Sequence, residues 1–233
     1  MTETNRTLVI MAKAPRLGSV KTRLAGNLSL RAVTELYGCL LNDTISLAQS
    51  LDRIDVAIMC PESDVEELSR VVPKTIRIVP QTGEGLAAGL DSVFAHFAAS
   101  GKQSVIAFNS DSPHLPASAL KKAFDLLEAD DIVVGPTHDG GYFLVGAKVS
   151  HANLFTREGM GTTNALEALL TQARALGLSI QLTDPFYDID VEGDLNRLAA
   201  ELRFAPSRAP RTAKWLKEWE RAQEDLRTSA GDL

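Results

Sequence analysis

Short apolar runs of strand length alternate along most of this chain with longer stretches in which apolar residues return every three or four positions. The runs are Thr7–Ala12, Asp55–Cys60, Thr75–Val79, Ser104–Phe108, Asp131–Gly135, Tyr142–Ala147 and Ser179–Leu182, and their length and flanking residues predict strands. Between the first two, Leu30–Leu51 carries Val33, Leu36, Tyr37, Leu40, Leu41 and Ile45 at helical spacing. Gly85–Ala99, Ala117–Ala129 and Asn164–Leu176 also predict helices, the last with Asn164 as N-cap and Glu167 three residues on. Ser63-Asp64-Val65-Glu66 has the form of a capping box opening a short helix.

Strand and helix in alternation predict an α/β fold with a mostly parallel central sheet flanked by helices. The end of the chain differs. Asp194–Arg203 and Arg211–Arg227 are highly charged helical segments joined by the proline-bearing stretch Ala205–Arg211. The expected organisation is one domain over residues 1–203, with 204–233 as a C-terminal helical extension of it. Trp215 and Trp219, four apart on one helix face, predict burial of that face, either on the protein's own core or at a homodimer contact.

Charge and composition remove several function classes. The 233 residues carry a net charge of −6, whereas a nucleic-acid binder normally presents a broad basic face. No apolar run approaches the ~20 residues of a membrane span, and the N-terminal apolar run is cut short by Lys13, so no signal peptide is expected. The expectation is a cytoplasmic protein without nucleic-acid or membrane partners. Cys39 and Cys60 lack metal or redox spacing and read as buried thiols.

Against that acidic background, Met11–Ala25 (MAKAPRLGSVKTRLA) places Lys13, Arg16, Lys21 and Arg23 in a single loop after the first strand. Ligands of open α/β sheets gather beyond the carboxyl ends of strands, and a local cationic cluster there suits the phosphates of a small ligand. The spacing lacks the first glycine of a Walker A loop and fails the dinucleotide fingerprint. Three acidic sites also follow strands. In Asn109–Pro116 (NSDSPHLP), Asp111 could offer a carboxylate to a hard divalent ion, or else cap the helix near Ser118 or close an Asx-turn. In Asp188-Ile189-Asp190, extended alternation points both carboxylates to one side, where they repel unless a cation lies between them. In His138-Asp139-Gly140-Gly141-Tyr142, the turn glycines let backbone approach a ligand, so that Asp139 could bind a sugar hydroxyl or act as a base.

Taken in order, these motifs, with "GPTHDGGYFLVG", "ARALGL" and "DIDVEGDL", resemble those of a family of small bacterial transferases in the nucleotide-diphospho-sugar transferase (GT-A, Rossmann-like) superfamily. The family is labelled a glycosyltransferase of the arsenosugar-biosynthesis type, formerly a domain of unknown function. It is similar to the guanylyltransferases of deazaflavin-cofactor synthesis and the molybdenum-cofactor nucleotidylyltransferases. The resemblance implies that Lys13, Lys21 and Arg23 surround nucleotide phosphates and that Gly85 and Leu86 contact the base. It further implies that Asp111 and Asp190 hold Mg²⁺ or Mn²⁺, and that Asp139, Gly140 and Gly141 form an acceptor-side loop. Asp111, Asp139 and Lys21 are then the catalytic candidates. The chain departs from the family pattern at Gly85-Leu86-Ala87-Ala88-Gly89, where an acid and an arginine are expected, and at Met160-Gly161, where Trp-Ser is usual.

Three activities fit these residues. One is metal-dependent glycosyl transfer from a nucleotide-sugar to a small-molecule acceptor, which the resemblance favours. The second is nucleotidylyl transfer, joining a nucleoside triphosphate to a phosphorylated small molecule with release of pyrophosphate. The third is non-catalytic nucleotide binding.

Overall fold

The computed structural model describes residues 5–26, 28–101 and 103–231, with side chains to residue 224; the expected outer limits of the domain and its extension, residues 1 and 233, lie outside the described residues. Seven strands form one sheet: β1 (Arg6–Met11), β2 (Asp55–Cys60), β3 (Arg77–Pro80), β4 (Ser104–Asn109), β5 (Ile132–Pro136), β6 (Tyr142–Ala147) and β7 (Ile180–Leu182). Their order is β3-β2-β1-β4-β6-β5-β7. All neighbours are parallel except β6, which runs antiparallel to β4 and β5. The alternation of the sequence thus yields the mostly parallel sheet it predicts, with strand ends within about two residues.

Period-two alternation decides which side chain meets which helix layer. Leu8 and Ile10 of β1, with Ile58, Ile106 and Phe108, face α1 (Leu30–Gln49), α2 (Val65–Val71) and α4 (Ala117–Ala129). Val9, Met59, Val105 and Val145 point the other way, onto α3 (Gly85–Ala99) and α5 (Ala165–Ala175). Leu8, Val9 and Ile10 are each fully buried, as expected of a strand covered on both faces.

Two local expectations change. The capping box does not form: the Ser63 hydroxyl donates to Asp64 Oδ1 at 3.1 Å, and α2 begins without a side-chain cap bond. The Asp64 carboxylate also accepts the Ala14 N–H at 2.8 Å and an Arg16 N–H at 2.6 Å, so it serves the buried amide of the β1 loop. Asn164 precedes α5 but makes no side-chain cap bond. Of the two thiols, Cys60 is buried, which pushes its pKa up to about 11, whereas Cys39 is half-buried on α1.

The charged tail is part of the fold. Helices α6 (Glu192–Phe204) and α7 (Pro210–Gly231) join α1 in a third core, where Leu36 and Leu40 meet Leu195, Leu198, Leu202 and Leu216. Trp215 and Trp219 stack at 6.0 Å between ring centroids and pack on this core. Among the described residues no helix is long and apolar enough to cross a membrane.

The docking of α7 has one polar anchor. Ala209, just before the helix, has no side-chain acceptor, and the fully buried Asp43 of α1 fills that role: it accepts the backbone N–H groups of Thr212 at 2.8 Å and Arg211 at 3.3 Å, as well as the Arg211 guanidinium. A carboxylate at a helix N-terminus satisfies orphan amides and complements the dipole. Replacing it leaves buried N–H groups without partners. Asp43→Ala is therefore expected to lower unfolding stability by about 2–3 kcal/mol in urea titration; an unchanged midpoint would show that α7 docks through its apolar face alone.

Candidate functional site

The loop after β1 is held from three sides. Val20 packs in the α1 core and Leu24 in the α6–α7 core, flanking Lys21. The Tyr37 hydroxyl of α1 accepts the Lys13 N–H at 3.1 Å and lies 3.0 Å from the Ser110 hydroxyl, joining the loops after β1 and β4. Arg16 forms ion pairs with Asp64 and Glu67 and also donates to the Ser63 carbonyl. It fastens the loop to α2 and does not reach the cavity, so one of the four loop cations is a structural clamp. Burial works against the Asp64 charge, but the bonds from Ala14, Ser63 and Arg16 hold its pKa below the usual carboxylate range.

Beyond the carboxyl ends of β1, β2 and β4 opens a cavity of about 890 Å³. One wall is Gln81 to Leu86. The Gln81 side chain donates to the Gly83 and Gly85 carbonyls, and Gly85 has φ +85°, so the turn into α3 is pinned in a form that glycine adopts freely. The opposite wall carries Asp111 and Asp190; Lys13, Lys21 and Arg23 also line the cavity.

Asp111 and Asp190 come from loops far apart in sequence, after β4 and after β7, and converge on one ammonium. Lys21 Nζ pairs with an Asp111 oxygen and, at 2.8 Å, with Asp190 Oδ1, while Arg23 reaches Asp190 Oδ2 at 3.2 Å. The Lys21 side chain is only 6% exposed. Burial disfavours its charge, but the two carboxylates outweigh burial and hold its pKa above the ordinary lysine value. Asp111 does not cap α4: that helix begins after Pro116 without a side-chain cap bond.

Asp188 completes a cluster. Ile189 is fully buried and faces the third core, so its neighbours Asp188 and Asp190 share the opposite side, as the alternation predicts. One oxygen from each of Asp139, Asp188 and Asp190 lies within 4.8 Å of the others. Desolvation, then the charges of Asp111 and Asp190, push the Asp188 pKa up to about 7. Asp139 is tuned the opposite way. Its Oδ1 accepts the Thr137 hydroxyl and the Gly141 N–H, and these bonds hold it below the usual range. Gly140, at φ +88°, sits so close to the next loop that an added Cβ would lie 1.9 Å from the Thr163 carbonyl oxygen. The glycine is required there for contact within the fold as well as for the turn.

In the sequence Asp188 stands out only as half of a pair; in the structure it is the most perturbed carboxylate of the site. Further bonds fix the two acidic loops against each other. The Ser112 hydroxyl donates to the Tyr187 carbonyl at 3.4 Å, and Asp194 accepts the Asp190 and Val191 N–H groups at 3.1 and 2.9 Å. His114, fully buried, packs at a tilt against Phe186 and Tyr187 with centroids at 4.9 and 4.4 Å. Burial lowers its pKa to about 3, so it packs as a neutral ring.

A family model described as "Uncharacterized protein conserved in bacteria (DUF2064)" matches residues 44–162. None of the curated proteins matches. A solved structure from Desulfovibrio desulfuricans, described as a nucleotide-diphospho-sugar transferase, is 23% identical with a TM-score of 0.84, covering 92% of this chain and 95% of that one. A nucleotidyl transferase from Methanothermobacter thermautotrophicus is 16% identical, TM-score 0.57, over 86% of this chain and 99% of its own. A 4-diphosphocytidyl-2C-methyl-D-erythritol synthase from Anaerococcus prevotii is 11% identical, TM-score 0.51, over 85% and 97%. At these identities the likeness is one of fold: the α/β architecture with its mostly parallel sheet is shared with these structures.

The raised pKa of Asp188 makes a signed prediction. Its folded value of about 7 lies above the 3.8 of a free aspartate, so the native state binds the extra proton and loses stability as pH rises between those values. Asp188→Asn, uncharged at every pH, should gain little over wild type at pH 4. The gain should grow between pH 4 and 7 and level off above, reaching a few kcal/mol, because each tenfold change in proton affinity is worth about 1.4 kcal/mol. Urea unfolding across that range measures it; a pH-independent difference would mean that the carboxylate is not repelled by its neighbours.

Proposed function

The chain belongs to that family of uncharacterized bacterial proteins, and for it we propose a metal-dependent transferase that uses a nucleotide-activated donor, with glycosyl transfer to a small-molecule acceptor as the reaction. One observation carries the reading: a single cavity joins a glycine-pinned wall, three cations and the end of a four-carboxylate cluster. At about 890 Å³ it is within the range of ligand sites.

In this reading the base lies along Gln81 to Leu86, with the apolar side chains of Met11 and Met59 nearby. Lys13, Lys21 and Arg23 meet the phosphates, where charge grows as the diphosphate leaves and fixed cations lower the barrier. The oxygens of Asp139, Asp188 and Asp190, with Asp111 alongside, are hard ligands at a spacing that one divalent ion can draw together. The crowding of three carboxylate oxygens within 4.8 Å supports the fit, since Lys21 and Arg23 offer two positive charges against four aspartates. Mg²⁺ or Mn²⁺ bound there would neutralise diphosphate charge. The bonds to Asp139 keep it ionised and weakly basic, which suits holding an ion or an acceptor hydroxyl better than removing a proton.

Nucleotidylyl transfer is the second reading, favoured by the number of cations at the lip, which suits a triphosphate. The likeness to the arsenosugar-type glycosyltransferases and to the deazaflavin-cofactor enzymes belongs to these two readings respectively.

Thermal shift against nucleoside triphosphates, diphosphates and nucleotide-sugars, with and without Mg²⁺ or Mn²⁺, tests both. Metal-dependent stabilisation by nucleotide-sugars, without pyrophosphate release from any triphosphate, is the expected result. Pyrophosphate release would establish the second reading, and no nucleotide response would reduce the protein to neither. Asp111→Ala and Asp190→Ala should each abolish metal-dependent turnover while far-UV circular dichroism stays unchanged; full activity in either variant removes that residue from the mechanism.

A further inference from the structure

The position of Lys21 does not match that of an ordinary phosphate-binding lysine. Its ammonium is turned inward, buried between Asp111 and Asp190, at the place where those carboxylates would otherwise share a metal ion. One oxygen of Asp111 is buried with no hydrogen-bond partner, so the lysine satisfies only part of the carboxylate charge. Four aspartates, at positions 111, 139, 188 and 190, face two cations, Lys21 and Arg23, in this cluster.

We propose that Lys21 is an exchangeable internal counter-ion: it holds the carboxylates in the metal-free protein, gives them up to an incoming divalent cation, and delivers its ammonium to the polyphosphate that arrives with that cation. The inference rests on the metal-dependent reading above and adds what this residue does toward the metal. The backbone supports an exchange. Lys21 has φ +46°, left-handed and unfavourable for a side chain with a Cβ. It stands between the turn at Gly18, φ +73°, and the short helical turn Thr22–Gly26. The neighbours Val20 and Leu24 anchor the loop in separate cores, so the backbone stays while the four-carbon stem swings. Lys21 also lines the cavity in which the phosphates would lie, so the ammonium need only turn from one wall toward the ligand.

Charge makes the two ligands interdependent. A divalent ion entering alone must evict a buried ammonium that then has no anion; a diphosphate entering alone meets lysine already paired. Together, each supplies what the other displaces. Linkage then requires that either ligand strengthen the other by the same factor.

The test uses Mn²⁺ as the probe, followed by the electron paramagnetic resonance signal of the free ion, in wild type and in Lys21→Met, which keeps length and apolar stem but cannot pair with a carboxylate. Without nucleotide, the variant should bind Mn²⁺ at least tenfold more tightly than wild type, while its affinity for a nucleoside diphosphate in the presence of Mn²⁺ falls at least tenfold. Equal or weaker Mn²⁺ binding by the variant overturns the exchange even if wild type binds metal and nucleotide, which would leave the transferase reading standing. Absence of Mn²⁺ binding in both proteins overturns both. Because loss of the buried ammonium leaves Arg23 facing four aspartates and could unfold the variant, wild type gives an independent readout. Mass-spectrometric labelling of Lys21 with an amine-reactive reagent should be slow in metal-free protein and accelerate at least severalfold at a Mn²⁺ concentration that the resonance signal shows to saturate the site. Unchanged or slower labelling overturns the proposal.

Discussion

Four carboxylates gathered at the ends of separate strands repel one another, and the fold holds them together against that repulsion. Coulomb energy between like charges a few ångströms apart is large wherever water is partly excluded. The Asp188 carboxyl expresses this directly, driven up to about 7 by desolvation and by Asp111 and Asp190. What offsets the strain is the Lys21 ammonium, buried between two of the four, together with a rigid surround. Tyr37 joins the first loop to Ser110, Ser112 reaches Tyr187, and Asp194 grips the backbone at Asp190. None of these bonds touches a carboxylate oxygen of the cluster. They fix the backbone that carries the charges.

This explains why an acidic protein places so many cations after its first strand, and why those cations are not equivalent. Arg16 faces Asp64 and Glu67 and ties the loop to α2, using the forked geometry that suits an arginine to two carboxylates. Lys21 is buried and balances charge. Arg23, largely exposed, touches Asp190 from the rim, and Lys13 is exposed above the Tyr37 bond. A patch that composition presents as one basic loop therefore divides into a clamp, a counter-ion and two side chains open to a ligand.

The fold was legible in the sequence because its signals are local. Alternation in Val9 and Ile10, the helical spacing of Leu36, Leu40 and Leu41, and turns at Gly and Pro each act within a few residues. The site was legible in part, for the same reason: Asp111, Asp139 and Asp190 follow strands, and strand ends in such a sheet must meet. Which carboxylate pairs with which cation was not legible. That depends on a crossing of loops separated by up to 169 residues, as for Lys21 and Asp190. The Ser63–Glu66 stretch matched a capping box, yet the Ser63 hydroxyl turns to the Asp64 carboxylate, which also accepts from Ala14 and Arg16. Likewise Asp43 carries no motif, because its partners, Arg211 and Thr212, lie at the far end of the chain.

Of the two segments at which the sequence departs from the pattern it resembles, Gly85–Gly89 reaches the cavity and Met160-Gly161 does not. Met160-Gly161 lies behind the Asp139 turn: the Tyr142 hydroxyl meets Met160 Sδ at 3.4 Å, and Leu166 donates its N–H to the Gly140 carbonyl at 3.0 Å. The Gly85–Gly89 segment opens α3 beside Gln81, across the cavity from the carboxylates. The cations and aspartates of the cluster form the middle of the site. In the reading proposed here, that middle is common to any reaction that expels a diphosphate or pyrophosphate, since both leaving groups demand the same neutralisation. Selectivity then has to come from the segments around it, Gly85-Leu86 against the base and the Asp139 turn against the acceptor. The charge balance constrains the strand ends that carry Lys21, Asp111 and Asp190, and it places no such demand on Gly85-Leu86.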